Sequence, residues 1–345
     1  MTPSNVIKID QLVGYSAVRD GAAGVVQLSG RGRIRVGGSE AVQFLNGLIT
    51  NDMKTLIEHR WMLAAFPNVQ GRLVAAVRVI RLADESEKNP SFLLDTESVT
   101  RQTVLKTIER FTMAGDFRVT DVTASSAMFS VQGAASGRML SELVSAAIND
   151  LPRDGVLETT FQEAPTIIVH ASHTAEDGFD VITTVEQAQE LSQQLIAAGA
   201  EVVSEETFET LRIEAGVARF GLDMDENNVV SETNLDDAVS FTKGCYIGQE
   251  IIARIKYRGH VAKKLTGFVL NGEALPQAGA TIKSVEGKDV GRITSATFSP
   301  SLHKPVALGY VRYEFLTAGT QVMVGDDGAG ATLTELPFVR GSWYE

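Results

Sequence analysis

A single cysteine, Cys245, stands among 345 residues, so no internal disulfide can form. The five histidines (His59, His170, His173, His260 and His303) are dispersed. This set has neither zinc-ligand spacing nor the four cysteines of a protein-borne iron–sulfur cluster, so no resident metal is expected. No run approaches the roughly 18 apolar residues of a membrane span. Met1–Asp10 lacks the basic start and apolar core of an export signal, and a reducing cytoplasm is the expected compartment. Basic residues are outnumbered by acidic ones, 31 to 43, for a net charge of −12. A surface of that sign excludes a protein that coats nucleic acid non-specifically.

The length suggests two or three domains. Gly24–Leu28 and Arg33–Val36 read as strands, and Ser39 as the N-cap of a helix carrying Ala41, Phe44, Leu45 and Leu48. Trp61–Phe66 and Arg72–Leu82 form a hairpin around Pro67–Gly71. From Ala127 to Gly199 the order is strand, helix, strand, strand, helix, a ferredoxin-like α/β layer. Ser204 caps a helix through Phe208, Leu211 and Ile213, with Glu205 and Glu206 in its first turn. After Lys264 six short strands follow with no helix between them, which predicts a small β-barrel or sandwich.

The densest chemistry lies in Lys243-Gly244-Cys245-Tyr246-Ile247-Gly248-Gln249-Glu250. Two glycines, an aromatic ring, a cation, an amide and a carboxylate surround the one sulfur. Gly244 and Gly248 permit close backbone approach. Lys243 would favour the Cys245 thiolate, but none of the five histidines sits in a recognisable dyad signature with it, and His260 reads as a surface-loop residue. The octapeptide also marks a charge boundary. Glu201–Ser240 holds eleven acids and two bases, and Lys243–Lys264 six bases and one acid, Glu250. A local anion site or a solvated basic face both fit that pattern.

This octapeptide resembles the signature of the YgfZ-type folate-binding proteins, relatives of the glycine cleavage T-protein (aminomethyltransferase). Phe44–Asp52, Asn68–Leu73, Leu211–Gly216 and Ala307–Arg312 resemble further family segments in the same order. The resemblance implies an α+β, three-domain T-protein-like fold around a central channel. Residues 1–125 and 201–264 would form a discontinuous folate-binding domain, 126–200 a ferredoxin-like α/β domain, and 265–345 a C-terminal β-barrel. It implies tetrahydrofolate or a derivative as cofactor, and a role in assembly or repair of iron–sulfur proteins, including those that modify tRNA. Cys245 and Lys243 would be the reactive pair, framed by Gly244, Tyr246, Gly248, Gln249 and Glu250. A pterin donor edge suits a buried carboxylate, for which Glu214 and Glu226 are candidates. Arg254 or Arg258 would pair with the anionic folate tail. The expected partners are folate and iron–sulfur client or assembly proteins, with no direct nucleic-acid or membrane contact, and the expected state is a monomer. Two alternatives stand beside this reading: an aminomethyltransferase of glycine cleavage, and a non-catalytic folate-binding scaffold whose basic segment docks a partner.

Overall fold

The computed structural model describes residues 12–84, 86, 89–113 and 115–345. The Met1–Asp10 stretch read for an export signal lies outside them. The chain opens with α1 (Tyr15–Arg19), β1 (Gly24–Gln27), β2 (Arg31–Gly37) and α2 (Ala41–Leu48). The hairpin β3 (Arg60–Pro67) and β4 (Leu73–Arg81) follows, then β5 (Ser91–Glu97), α3 (Ser98–Glu109) and β6 (Arg118–Asp121). Strands β2 to β6 form an antiparallel sheet in the order β3-β4-β5-β2-β6.

Next come β7 (Ser126–Gln132), α4 (Ser136–Val144), β8 (Val156–Phe161), β9 (Ala164–His170), β10 (Gly178–Thr184), α5 (Ala188–Ala197) and β11 (Glu201–Val202). They build a second sheet in the order β11-β1-β7-β10-β9-β8. Strand β8 is absent from the sequence reading, and β1 joins this second sheet, antiparallel to β7 and parallel to β11. After α6 (Glu205–Glu214) and α7 (Gln249–Arg258) the chain enters β12 (Lys263–Leu270), β13 (Thr281–Ser284), β14 (Asp289–Ser299), β15 (Lys304–Arg312), β16 (Gln321–Val324) and β17 (Ala329–Thr334). These close into a barrel, β12-β15-β14-β13-β16-β17. The fold is thus α+β, two α/β layers and a C-terminal closed β-barrel.

The period-2 alternation of strands explains how the layers stack. Val77, Val79, Phe92 and Leu94 point to α2 and α3, where Leu45, Val104 and Ile108 complete a core. Phe129, Val131, Phe179 and Val181 point the other way, onto Leu140, Leu191 and Leu195 of α4 and α5. The intervening Ile80, Leu93, Met128, Val169 and Ile182 meet between the two sheets. On the same alternation Arg78, Asp95 and Asp180 face this inter-sheet space, where all three are buried. Arg78 and Asp95 are direct cross-strand partners.

Local signals decide the ends of the helices. Ser204 Oγ accepts from Thr207 N as the α6 N-cap, as the sequence indicates. Ser39 does not cap α2. Its N–H and hydroxyl both donate to Asp116 Oδ2 (2.8 and 2.9 Å), which turns the side chain to that carboxylate and away from the helix amides. Among the described residues no helix is long and apolar enough to cross a membrane.

Candidate functional site

A cavity of about 420 Å³ opens where the three domains meet. Trp61 and Leu63 from β3, Ala76 from β4, and Phe220, Met224 and Leu235 from the segment after α6 give it apolar walls. Trp343 and Tyr344 close one side. Arg31, Glu97, His173, Val217 and Ala218 also border an adjoining recess of about 260 Å³ reaching α6, so the two spaces share a rim.

A continuous line of charge runs along this rim. His173 Nε2 lies 2.9 Å from Asp180 Oδ2, and Asp180 Oδ2 accepts from Arg78 Nη2 at 2.5 Å. Arg78 Nη2 also donates to Asp95 Oδ2 (2.8 Å), and Arg31 forks onto Asp95 (2.8 and 2.9 Å) while reaching Glu97 Oε1 (2.8 Å). Beyond Glu97 come Arg219, Glu209 and Arg212, and Arg212 Nη1 donates to Asp223 (2.5 Å). Asp223 accepts from Thr294 and Ser295 of the barrel (2.6 and 2.7 Å). One charge chain therefore links all three domains.

Burial alone would raise the Asp95 carboxyl, but Arg31 and Arg78 outweigh it and hold Asp95 below the usual carboxylate range. Burial likewise works against Asp180, and His173 and Arg78 outweigh it and hold Asp180 below the usual carboxylate range. Two buried donors of the cavity wall, Arg78 Nε and Ser172 Oγ, have no hydrogen-bond partner among the described residues. Such unpartnered buried donors are rare in folded proteins, and both atoms are closed off from solvent.

The octapeptide lies elsewhere, packed on the turn after α2 and on the β3–β4 hairpin. Lys243 is buried. Its Nζ donates to the carbonyls of Asn46 (2.7 Å), Ile49 (2.9 Å) and Asn51 (2.6 Å), and burial lowers its pKa to about 8. Tyr246 is buried with Ala65, Leu73, Met224, Val230 and Ile252, and its ring stands 5.0 Å from Lys243 Nζ. Gly248 adopts φ +76° with its Cα against the hairpin, and a Cβ there would lie 2.4 Å from Asn68 O. Gln249 and Glu250 start α7. Cys245 itself is exposed and does not line the cavity. Its neighbours thus hold the loop rigid and leave the sulfur facing solvent.

The four residues read as folate contacts are not brought together. Glu214 is fully buried and occupied. It accepts from Tyr15 Oη (2.8 Å), Ser299 Oγ (2.5 Å) and Arg19 Nη2 (2.7 Å), which ties α6 to α1 and the barrel. Glu226 is exposed in the loop before residue 228, and Arg254 and Arg258 are exposed on α7. None of the four lines the cavity. His260 is exposed and stacks on Tyr313 at 3.9 Å, a loop position. The rim residues Arg31, Arg78, Asp95, His173 and Asp180 escape the sequence reading. Their signal is a charge embedded in an apolar strand, as in Leu93-Leu94-Asp95 and Phe179-Asp180-Val181.

Two family models span most of the chain. The GCVT N-terminal domain matches residues 14–243, and the glycine cleavage T-protein C-terminal barrel domain matches residues 263–340. The aminomethyltransferase of Rubrobacter xylanophilus is 31% identical over 327 residues, 94% of this chain and 85% of that protein. A chloroplastic protein of Arabidopsis thaliana, named as a transferase, is 28% identical over 93% of this chain and 72% of its own. The crystal structure of glycine cleavage system aminomethyltransferase T from Bartonella henselae shares the fold, with a TM-score of 0.85 over 95% of this chain and 89% of that one at 24% identity. With its matched N-terminal and barrel domains, the chain belongs to the glycine cleavage T-protein superfamily.

Proposed function

We propose that the chain is a cytoplasmic tetrahydrofolate-binding protein that supports assembly or repair of iron–sulfur proteins and, through such clients, tRNA modification, with Cys245 as its reactive group. The observation that carries this reading is the separation of two features: an apolar-walled cavity rimmed by charged side chains, and a lone thiol on an exposed residue of a clamped loop. The cavity residues fit a reduced folate. About 420 Å³ lies within the usual range for small-molecule sites. Trp61, Phe220 and Met224 offer an apolar surface to a pterin ring, and Arg31, Glu97 and His173 offer polar groups to its edge. Arg219, half-buried on the recess rim, is placed to pair with the anionic tail. A bound reduced folate would supply an N–H donor edge and, where it carries one, a one-carbon group.

Cys245 opens to solvent and not to the cavity, so in this reading the thiol meets a partner protein while folate binding sets the state of the central site. The test replaces Cys245 by Ala. The variant should keep the wild-type melting temperature and tetrahydrofolate affinity, while client iron–sulfur enzymes lose activity in cells. Unaltered client activity would sink the thiol role. A second reading, aminomethyl transfer to tetrahydrofolate, draws on the names of the relatives. Methylene-tetrahydrofolate formation from an aminomethylated lipoyl carrier would favour it.

A further inference from the structure

The last residues of the chain form a strap over the central cavity. Ser342–Tyr344 make one 3-10 turn, and Trp343 and Tyr344 line the cavity. Tyr344 also lines an outer groove of about 440 Å³ beside Thr266, Leu336 and Pro337. Cavity and groove share Ala215, Gly216, Asn234 and Tyr344, so the strap stands between the inner space and an open one.

Few bonds hold it. Ser342 N and Oγ both donate to Glu176 Oε2 at 2.8 Å, Asp177 N donates to Ser342 Oγ at 2.9 Å, and Trp343 N donates to Ala175 O at 3.2 Å. The Trp343 ring meets His170 edge-on at 5.2 Å, and the Arg153 guanidinium lies 5.0 Å from its centroid. Almost every anchor belongs to the loop from His170 to Asp177, on the second sheet. Gly341 makes the approach possible, because a Cβ there would lie 2.0 Å from Glu176 Oε1. Glu176 is itself fixed by Arg19 Nη1 at 2.9 Å. The loop side of the latch is therefore held in place, and the strap side is a single 3-10 turn joined by a handful of polar contacts, the kind of segment that opens at low free-energy cost.

We propose that Ser342–Glu345 is a gate on the central cavity. It swings out when the Ser342–Glu176 bonds break, admits a flat heterocyclic ligand, and on return sets Trp343 and Tyr344 against that ligand. The ligand class, a reduced pterin, rests on the folate reading above. The gating itself rests on the strap geometry.

The experiment compares the wild-type chain, Ser342→Ala and a chain ending at Gly341. Hydrogen exchange at the Trp343 amide reads strap opening. Stopped-flow binding of tetrahydrofolate reads passage. Ser342→Ala loses two of the latch bonds and should exchange at Trp343 roughly tenfold faster, in line with loss of hydrogen bonds to a charged acceptor. Its association and dissociation rates should both rise several-fold. The chain ending at Gly341 should release tetrahydrofolate at least tenfold faster. Wild-type exchange at Trp343 in Ser342→Ala overturns the gate, and so does faster exchange with unaltered binding and release rates. A wild-type protein that binds no tetrahydrofolate overturns the folate reading instead, and the exchange measurement then decides the gate alone.

Discussion

Replacing Lys243 by Met separates a structural lysine from a catalytic one. Met keeps most of the side-chain length and removes the ammonium. Three carbonyl oxygens, those of Asn46, Ile49 and Asn51, then lose their donor at once. The bond to Ile49 O is fully buried and the other two are part-buried, so water can replace only some of what is lost. A buried acceptor without a partner costs about 1–3 kcal/mol. Relief from holding a buried charge offsets part of the total. A net loss of about 2–3 kcal/mol is expected, which lowers the melting temperature of a chain this size by roughly 4–8 °C. Differential scanning calorimetry measures it. In the same samples the rate at which a disulfide reagent modifies Cys245 should stay within about twofold, because the sulfur is already exposed and Lys243 Nζ is committed to the carbonyls. An unshifted melting temperature together with a collapse of thiol reactivity would refute this reasoning and restore Lys243 as the activator of Cys245.

Two further outcomes follow from the charge line and the octapeptide turn. Asp95 and Asp180 sit below the usual carboxylate range in the folded protein and near 3.9 when unfolded, so their stabilisation is complete above that value and is lost as pH falls through and below it. The melting temperature should fall steeply below about pH 4, and Asp95→Asn should flatten that acid limb; an identical limb in the variant counts against the network. Gly248→Ala forces a side chain into φ +76° and against Asn68 O, and should cost more than about 1–2 kcal/mol in chemical denaturation. Gly244→Ala is the control, with no atom within 4 Å of its added Cβ, and equal stability of the two variants would be the contrary result.

Much of the framework is legible in the residues. Six alternating runs after Lys264 give the barrel, and Ser204 marks the start of α6, where its Oγ accepts from Thr207 N within the same turn. Ser39 fails because Asp116, 77 positions away, engages both its N–H and its hydroxyl. Strand β8, with Glu158-Thr159-Thr160 at its centre, is too polar for an apolar-run reading, and it forms because β9 supplies a full antiparallel ladder. The octapeptide is visible at once, yet its residues divide into clamp (Lys243), wedge (Tyr246), turn (Gly248) and free thiol (Cys245), a division that only packing decides. The cavity rim is the least visible part. His173, Asp180, Arg78, Asp95 and Arg31 come from five separate stretches, and only the facing of two sheets brings them into line.

The placement of β1 governs how the protein must be made. The sheet from β2 to β6 uses residues 31 to 121 alone and can close as soon as they leave the ribosome. Strand β1 cannot. Its antiparallel partner β7 begins at Ser126 and its parallel partner β11 at Glu201. At about 5–20 residues per second, β1 waits some 5–20 s for the first and longer for the second. During that interval Val25 and Val26 are an unpaired apolar edge tethered to a finished sheet, so the earliest-made strand of the second layer is among the last to be sealed, and this nascent chain is exposed to strand-pairing errors at its own beginning.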